Sequence, residues 1–139
     1  MSSYNFNYED EKYLLSHDNC SDLINDEEKP VKGIKVSNIL DILNNSESIN
    51  FDIEYYQEAC PKCLSGVKEK QKFFGFLEYH FYIFTKNNEY VISDISKEYN
   101  GLSFNKLSKQ NKVDDSYIVS IIVCEKCKDY IIQIENCIV

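Results

Sequence analysis

Arginine is absent from the 139 residues, so all 15 cationic side chains are Lys, set against 23 Asp and Glu for a formal net charge of −8. Phosphate backbones are bound by clustered cations and base edges are read most often by bidentate Arg, so no nucleic acid is expected as a partner. No run of 18 apolar residues exists, which is about the shortest that crosses a bilayer as a helix, so no membrane partner is expected. The opening MSSYNFNYEDEK lacks a basic n-region and an apolar core, which predicts no secretory leader and a cytoplasmic location. Glycine is scarce. The four at 33, 66, 75 and 101 form no phosphate-cradling pattern, and no GxSxG elbow is present. Internal repeats, low-complexity tracts and linkers are also missing.

What is present reads as one globular domain over residues 1–139, with 43% hydrophobic and 27% charged residues and a mean hydropathy of −0.42. A chain of this length buries enough surface to fold without disulfide staples. The charge is uneven: residues 1–30 hold eight acids and two Lys, whereas the body, 31–139, is close to neutral. The acidic runs Glu9–Glu11 and Asp26–Glu28 read as solvated surface, or as a docking face for a basic partner.

The periodicity predicts a sheet-rich α+β fold. Tyr4, Phe6 and Tyr8 alternate with polar residues as a half-buried strand does, and Ile49, Phe51, Ile53 and Tyr55 repeat the pattern. Residues 9–30 read as loop with a helical turn near Ser21–Asn25, and Val31–Val36 as a short strand. Ser37 fits a helix N-cap ahead of the stripe Ile39, Leu40, Ile42 and Leu43, which Asn44 and Asn45 end. The aromatic run Phe73–Lys86 leads through Asn87-Asn88, a pair suited to a type I′ turn, into Glu89–Ile95, with Lys86 opposite Glu89, Phe84 opposite Val91 and Ile83 opposite Ile92. A turn at Asn100-Gly101, a short helix over Ser103–Lys109 and a polar connection over Val113–Ser116 follow. The β-branched runs Tyr117–Val123 and Asp129–Glu135 are apolar at nearly every position, which places them centrally in the sheet.

Two CxxC turns carry the chemistry: Cys60-Pro61-Lys62-Cys63 and Cys124-Glu125-Lys126-Cys127. Two residues between cysteines let both sulfurs face one point, and two such turns supply four thiolates for a tetrahedral Zn²⁺. In a reduced compartment, metal ligation, catalytic thiols or burial suit six cysteines better than disulfides do. Both turns follow a strand. The second also precedes one, and the first does so if Val67–Phe74 pairs back on Ile49–Tyr56. Here the chain resembles the zinc-ribbon families, in which two hairpin-tip knuckles grip one metal. It differs in having 60 residues between Cys63 and Cys124, and Leu64 and Lys128 where a Gly often follows the knuckle. The resemblance implies a structural Zn²⁺ held by Cys60, Cys63, Cys124 and Cys127. As a whole the chain looks similar to small uncharacterised acidic bacterial proteins, which implies no activity.

The expected function is therefore a non-catalytic module with a four-cysteine zinc site and an unknown protein partner. The alternative is a thiol-disulfide oxidoreductase or redox sensor. It would use Cys60 and Cys63 at the start of a helix over Leu64–Phe74, with Cys124 and Cys127 as a resolving pair. His17 and Cys20 have ligand spacing but are surplus to four ligands, so they read as an exposed His and a half-buried Cys. Cys137, in the apolar ending Ile134–Val139, reads as a small core residue. His80 reads as a packed or rim histidine with no nucleophilic partner. The aromatic stripe Phe73–Phe84 places side chains on both sheet faces. Either both faces are covered or one is an exposed binding surface.

Overall fold

A computed structural model of the protein describes residues 2–46 and 49–137. The fold is α+β. Strand β1 (Ser3–Tyr8) pairs with β2 (Glu11–Ser16) as a separate two-stranded sheet. The main sheet contains β3 (Cys20–Ile24), β4 (Asp52–Tyr56), β5 (Phe74–Lys86), β6 (Glu89–Ser93), β7 (Asp115–Cys124) and β8 (Tyr130–Asn136). Its order is β3-β8-β7-β5-β4, with β6 on the far half of β5. Helix α1 (Val36–Asn44) packs against β1 and β2, and α2 (Phe104–Lys109) follows a 3₁₀ turn at Lys97–Tyr99.

One face of the main sheet carries the core. Leu77, Phe81 and Ile83 on β5, Tyr117, Val119, Ile121 and Val123 on β7, and Tyr130, Ile132 and Ile134 on β8 pack beneath α1 and the β1–β2 hairpin. The helix contributes Ile39, Leu40, Ile42 and Leu43, the stripe its sequence predicts. Burial of such side chains stabilises by about 1.5–3 kcal/mol each before conformational entropy is set against it. Both β7 and β8 are internal strands, as their unbroken apolar runs predict.

Five local readings change. The stretch 9–30 is not loop: Tyr13 and Leu15 point inward from β2, joined to β1 by a two-residue turn in which Glu9 and Asp10 both take positive φ. Two acids at a turn of that type hide the hairpin. The helical turn near Ser21 is the edge strand β3, parallel to β8 and bulged between Cys20 and Asp22. In place of a strand over 31–36 there is a single bridge, Lys32 to Glu89, and Val36 already opens α1. The N-cap is Lys35 and not Ser37: the Lys35 N–H donates to Asn38 Oδ1 at 2.7 Å. Asp115 and Ser116 belong to β7 and not to a connection.

The Asn87-Asn88 turn has positive φ at both residues and Lys86 opposes Glu89, as expected. Beyond it a bulge at Val91 shifts the register, so that Phe84 faces Ile92 and Ile83 faces Ser93. The shift puts Ile92 beside Phe84 in a second apolar cluster with Leu107, Val113, Tyr99 and Phe104. This cluster covers the other sheet face at one end only. The aromatic stripe is therefore buried on both faces around Phe81–Phe84, while Phe73 is 59% exposed.

Candidate metal centre

The sheet register brings the two CxxC turns together. Tyr56 faces Phe74 across β4–β5, and Phe76 faces Cys124 across β5–β7. The loop between β4 and β5, which holds Cys60 and Cys63, thus opens beside the tip of the β7–β8 hairpin, which holds Cys124 and Cys127. The 60 intervening residues leave along β5 and return along β7, so their number does not affect the approach. The first turn differs from expectation in one respect. Residues 67–73 do not pair with β4, whose partner strand begins at Phe74.

Both turns fold alike. The N–H of Leu64 donates to the Cys60 carbonyl and that of Lys128 to the Cys124 carbonyl, each at 2.9 Å. Leu64 has φ +52° and Lys128 φ +67°. These positions demand the left-handed backbone that glycine tolerates, and the chain meets the demand with other residues. Lys62 from the first turn and Asp129 beyond the second form a 2.6 Å ion pair across the junction. Lys128 reaches Glu11 at 2.9 Å and lies 5.0 Å from the centre of the Tyr13 ring, which ties the second turn to β2.

The ligand atoms of Cys60, Cys63, Cys124 and Cys127 all lie within 4.8 Å of one another. The Cys60–Cys127 sulfurs are 3.8 Å apart and the Cys63–Cys124 sulfurs 3.7 Å. Cys60 and Cys124 are buried, and the other two are half-buried. Burial opposes ionisation at Cys63, but the Ser65 N–H and hydrogen bonds from the other three cysteines outweigh it and lower its thiol pKa. Burial raises Cys124, and burial together with the charge of its neighbours pushes Cys127 up to about 12. Four sulfurs this close cannot all ionise by themselves. A cation at their centre removes the obstacle, and the cluster could hold a metal ion.

A profile of one protein family, described as a protein of unknown function (DUF3785), matches residues 4–139. The chain belongs to the DUF3785 family. Comparison with curated proteins and with solved structures gives no match.

The remaining candidates lie elsewhere. His17 is exposed and Cys20 half-buried, as expected, and neither joins the cluster. Cys137 is half-buried just beyond β8 and not a core residue, and residues 138–139 of that apolar ending lie outside the described residues. Leu64–Phe74 is a series of turns without a helix, so Cys60 and Cys63 lack the helix N-terminus that a thioredoxin-like site uses to stabilise its thiolate. Among the described residues, no helix is long and apolar enough to cross a membrane.

Sequence reasoning missed the surroundings of His80. Its Nδ1 lies 2.7 Å from Ser120 Oγ on β7 and its Nε2 3.0 Å from Glu78 Oε1, while the Tyr56 hydroxyl donates to Glu78 Oε2. The i, i+2 spacing of Glu78 and His80 on one strand was visible. Ser120, 40 residues away, becomes their neighbour only through the β5–β7 register.

Proposed function

We propose that Cys60, Cys63, Cys124 and Cys127 bind one Zn²⁺ in a structural role, as in zinc-ribbon families, and that the chain is a protein-binding module. The spacing of the cross-turn sulfur pairs, 3.7 and 3.8 Å, carries the metal reading. A tetrahedron with Zn–S of about 2.3 Å has an edge of about 3.8 Å. Four thiolates leave no open position for water or substrate, which a Lewis-acid mechanism requires. The metal then acts as a staple between two hairpin tips.

The binding role draws on the surface beside that staple. Tyr55, Leu64, Val67 and Phe73 are between 47% and 65% exposed around the first turn. The net charge of −8 becomes about −10 once four thiolates hold Zn²⁺. The partner this suits is a protein with an apolar patch inside a basic rim, its charges accelerating association more than they add affinity.

Native mass spectrometry of anaerobically purified protein is expected to find one Zn²⁺ per chain; metal-free protein with reversible two-electron thiol chemistry would overturn the reading. For the partner, a photo-crosslinker at position 73 is expected to trap a protein, with a yield that falls when Tyr55→Ala is added. Equal trapping from a control crosslinker at Val91 would remove the surface from consideration.

A further inference from the structure

The uncovered face of the main sheet holds a second constellation, of residues that are not themselves ligands of the cysteine cluster. Glu78, His80 and Ser120 lie on that face together with Phe76 and Ile122 of β5 and β7 and Ile131 and Gln133 of β8, as the alternation along each strand requires. His80 faces Ser120 directly, and Ser120 faces Gln133, so the three form one row across three strands. One row closer to the cysteines, Glu78 faces Ile122, which faces Ile131.

Hydrogen bonds tie the row to Glu78 and Tyr56. Glu78 is 8% exposed and accepts from Tyr56 at one oxygen and from His80 at the other. With Glu78 ionised and His80 neutral, the imidazole proton sits on Nε2 towards the carboxylate, Nδ1 is an acceptor and the Ser120 hydroxyl donates to it. A hydroxyl bonded to an imidazole that is in turn oriented by a buried carboxylate is the arrangement that activates a serine as nucleophile. The Gln133 side chain makes no hydrogen bond among the described residues, and residues directly opposite in a sheet have Cβ atoms about 4.5–5.5 Å apart. In the β7–β8 register Gln133 stands opposite Ser120, which makes its carboxamide the candidate donor to an oxyanion formed at Ser120.

An open groove of about 420 Å³ lies one row from Ser120, lined by Phe76, Ile122 and Ile131 and, beyond them, by Cys60, Cys124 and the Lys62–Asp129 ion pair. We infer that Ser120, His80 and Glu78 form an acyl-transfer site for neutral carboxylic esters whose apolar acyl chain lies in this groove. Anionic substrates are disfavoured by the charge of −8. In the first half-reaction Ser120 Oγ bonds to the acyl carbon and its proton passes to His80 Nδ1. The bond from the acyl carbon to the alcohol oxygen then breaks, and the alcohol leaves with that proton. In the second, a water gives a proton to the same Nδ1 and its oxygen bonds to the acyl carbon. The Ser120 ester bond breaks, releasing the carboxylic acid and restoring the Ser120 hydroxyl. Glu78 holds the imidazole in its tautomer throughout, with Tyr56 as the positioning residue for Glu78.

The test uses zinc-loaded full-length protein with a fluorophosphonate probe and p-nitrophenyl esters. The probe is expected to label Ser120, as mapped by peptide mass spectrometry. Ser120→Ala and His80→Gln should each slow ester hydrolysis by about 10²–10⁴-fold, with melting curves checking that both remain folded. Rates should rise about fourfold per acyl methylene from acetate to hexanoate. Ser120→Cys guards against a folding defect: beside His80 its thiol should react with iodoacetamide faster than Cys20 or Cys137. Labelling that is absent or equal in urea, hydrolysis unchanged in Ser120→Ala, or rates indifferent to acyl length would each overturn the inference. The zinc reading would stand in every case, since metal content is measured separately.

Discussion

Replacing Leu64 tests whether the CxxC turn has the backbone that a metal knuckle requires. Leu64 has φ +52°, and its side chain is 56% exposed. Shortening that side chain therefore removes little burial, and comparing Leu64→Gly with Leu64→Ala cancels what it does remove. A left-handed backbone costs a non-glycine residue about 1–2 kcal/mol. Glycine loses about 0.5–1 kcal/mol more in conformational entropy on folding. The difference of the central values leaves Leu64→Gly more stable than Leu64→Ala by about 0.7 kcal/mol, with a ceiling of about 1.5 kcal/mol. In a helix or strand interior the order is the reverse, so the sign alone is diagnostic. Thermal unfolding of the zinc-loaded proteins, followed by circular dichroism, should separate the two by about 2–4 °C. Competition with a chromophoric chelator should show zinc held about two- to fivefold more tightly by the glycine variant. An alanine variant as stable as the glycine one would refute the strain at Leu64. Lys128, at φ +67°, is a poorer probe because its ammonium also holds Glu11 and the Lys12 carbonyl.

Cys124→Ser is expected to lower the melting temperature while leaving most far-ultraviolet ellipticity, because the core under α1 contains none of the four cysteines; complete unfolding would make the metal a condition of the fold. Thr85 Oγ1 is buried with no hydrogen-bond partner among the described residues, so Thr85→Val should stabilise by about 1–3 kcal/mol in denaturant titrations, and a lower midpoint would mean the hydroxyl is satisfied. Asp26 is held below the usual carboxylate range by the N–H groups of Asn136 and Lys29. At Asp115 burial opposes ionisation, but Lys29 and Asn136 outweigh it and its pKa is also lowered. Both carboxylates therefore stabilise fully above about pH 4, the unfolded value, and lose that contribution as pH falls towards their folded values. Asp115→Asn should flatten the decline in melting temperature between neutral pH and pH 3, and an unchanged slope would contradict this. Raising salt to physiological levels should slow association with the basic partner and leave its dissociation rate nearly unchanged; a salt-independent association rate would remove the acidic surface from the encounter.

The sequence by itself determined what depends on neighbours a few residues apart. The alternation in Tyr4–Tyr8 makes a half-buried strand, the stripe Ile39–Leu43 makes one helix face, and Asn87-Asn88 makes a turn with two positive φ angles. Each outcome follows from sterics and side-chain period, which need no distant partner. The pairing of cysteines two residues apart was legible for the same reason. Tertiary structure decided whatever a distant partner supplies. Strand β3 has little apolar pattern of its own and is ordered by parallel pairing with β8, and the bulge at Val91 sets Ile92 against Phe84 and the second cluster. Above all, the antiparallel register of β5 on β7 is fixed by burying Leu77, Phe81, Ile83, Val119, Ile121 and Val123 on one face. A one-residue slip would turn every one of these side chains to the other face. That register sets Phe76 against Cys124, which joins the two CxxC turns, and His80 against Ser120, which joins an imidazole to a hydroxyl 40 residues away.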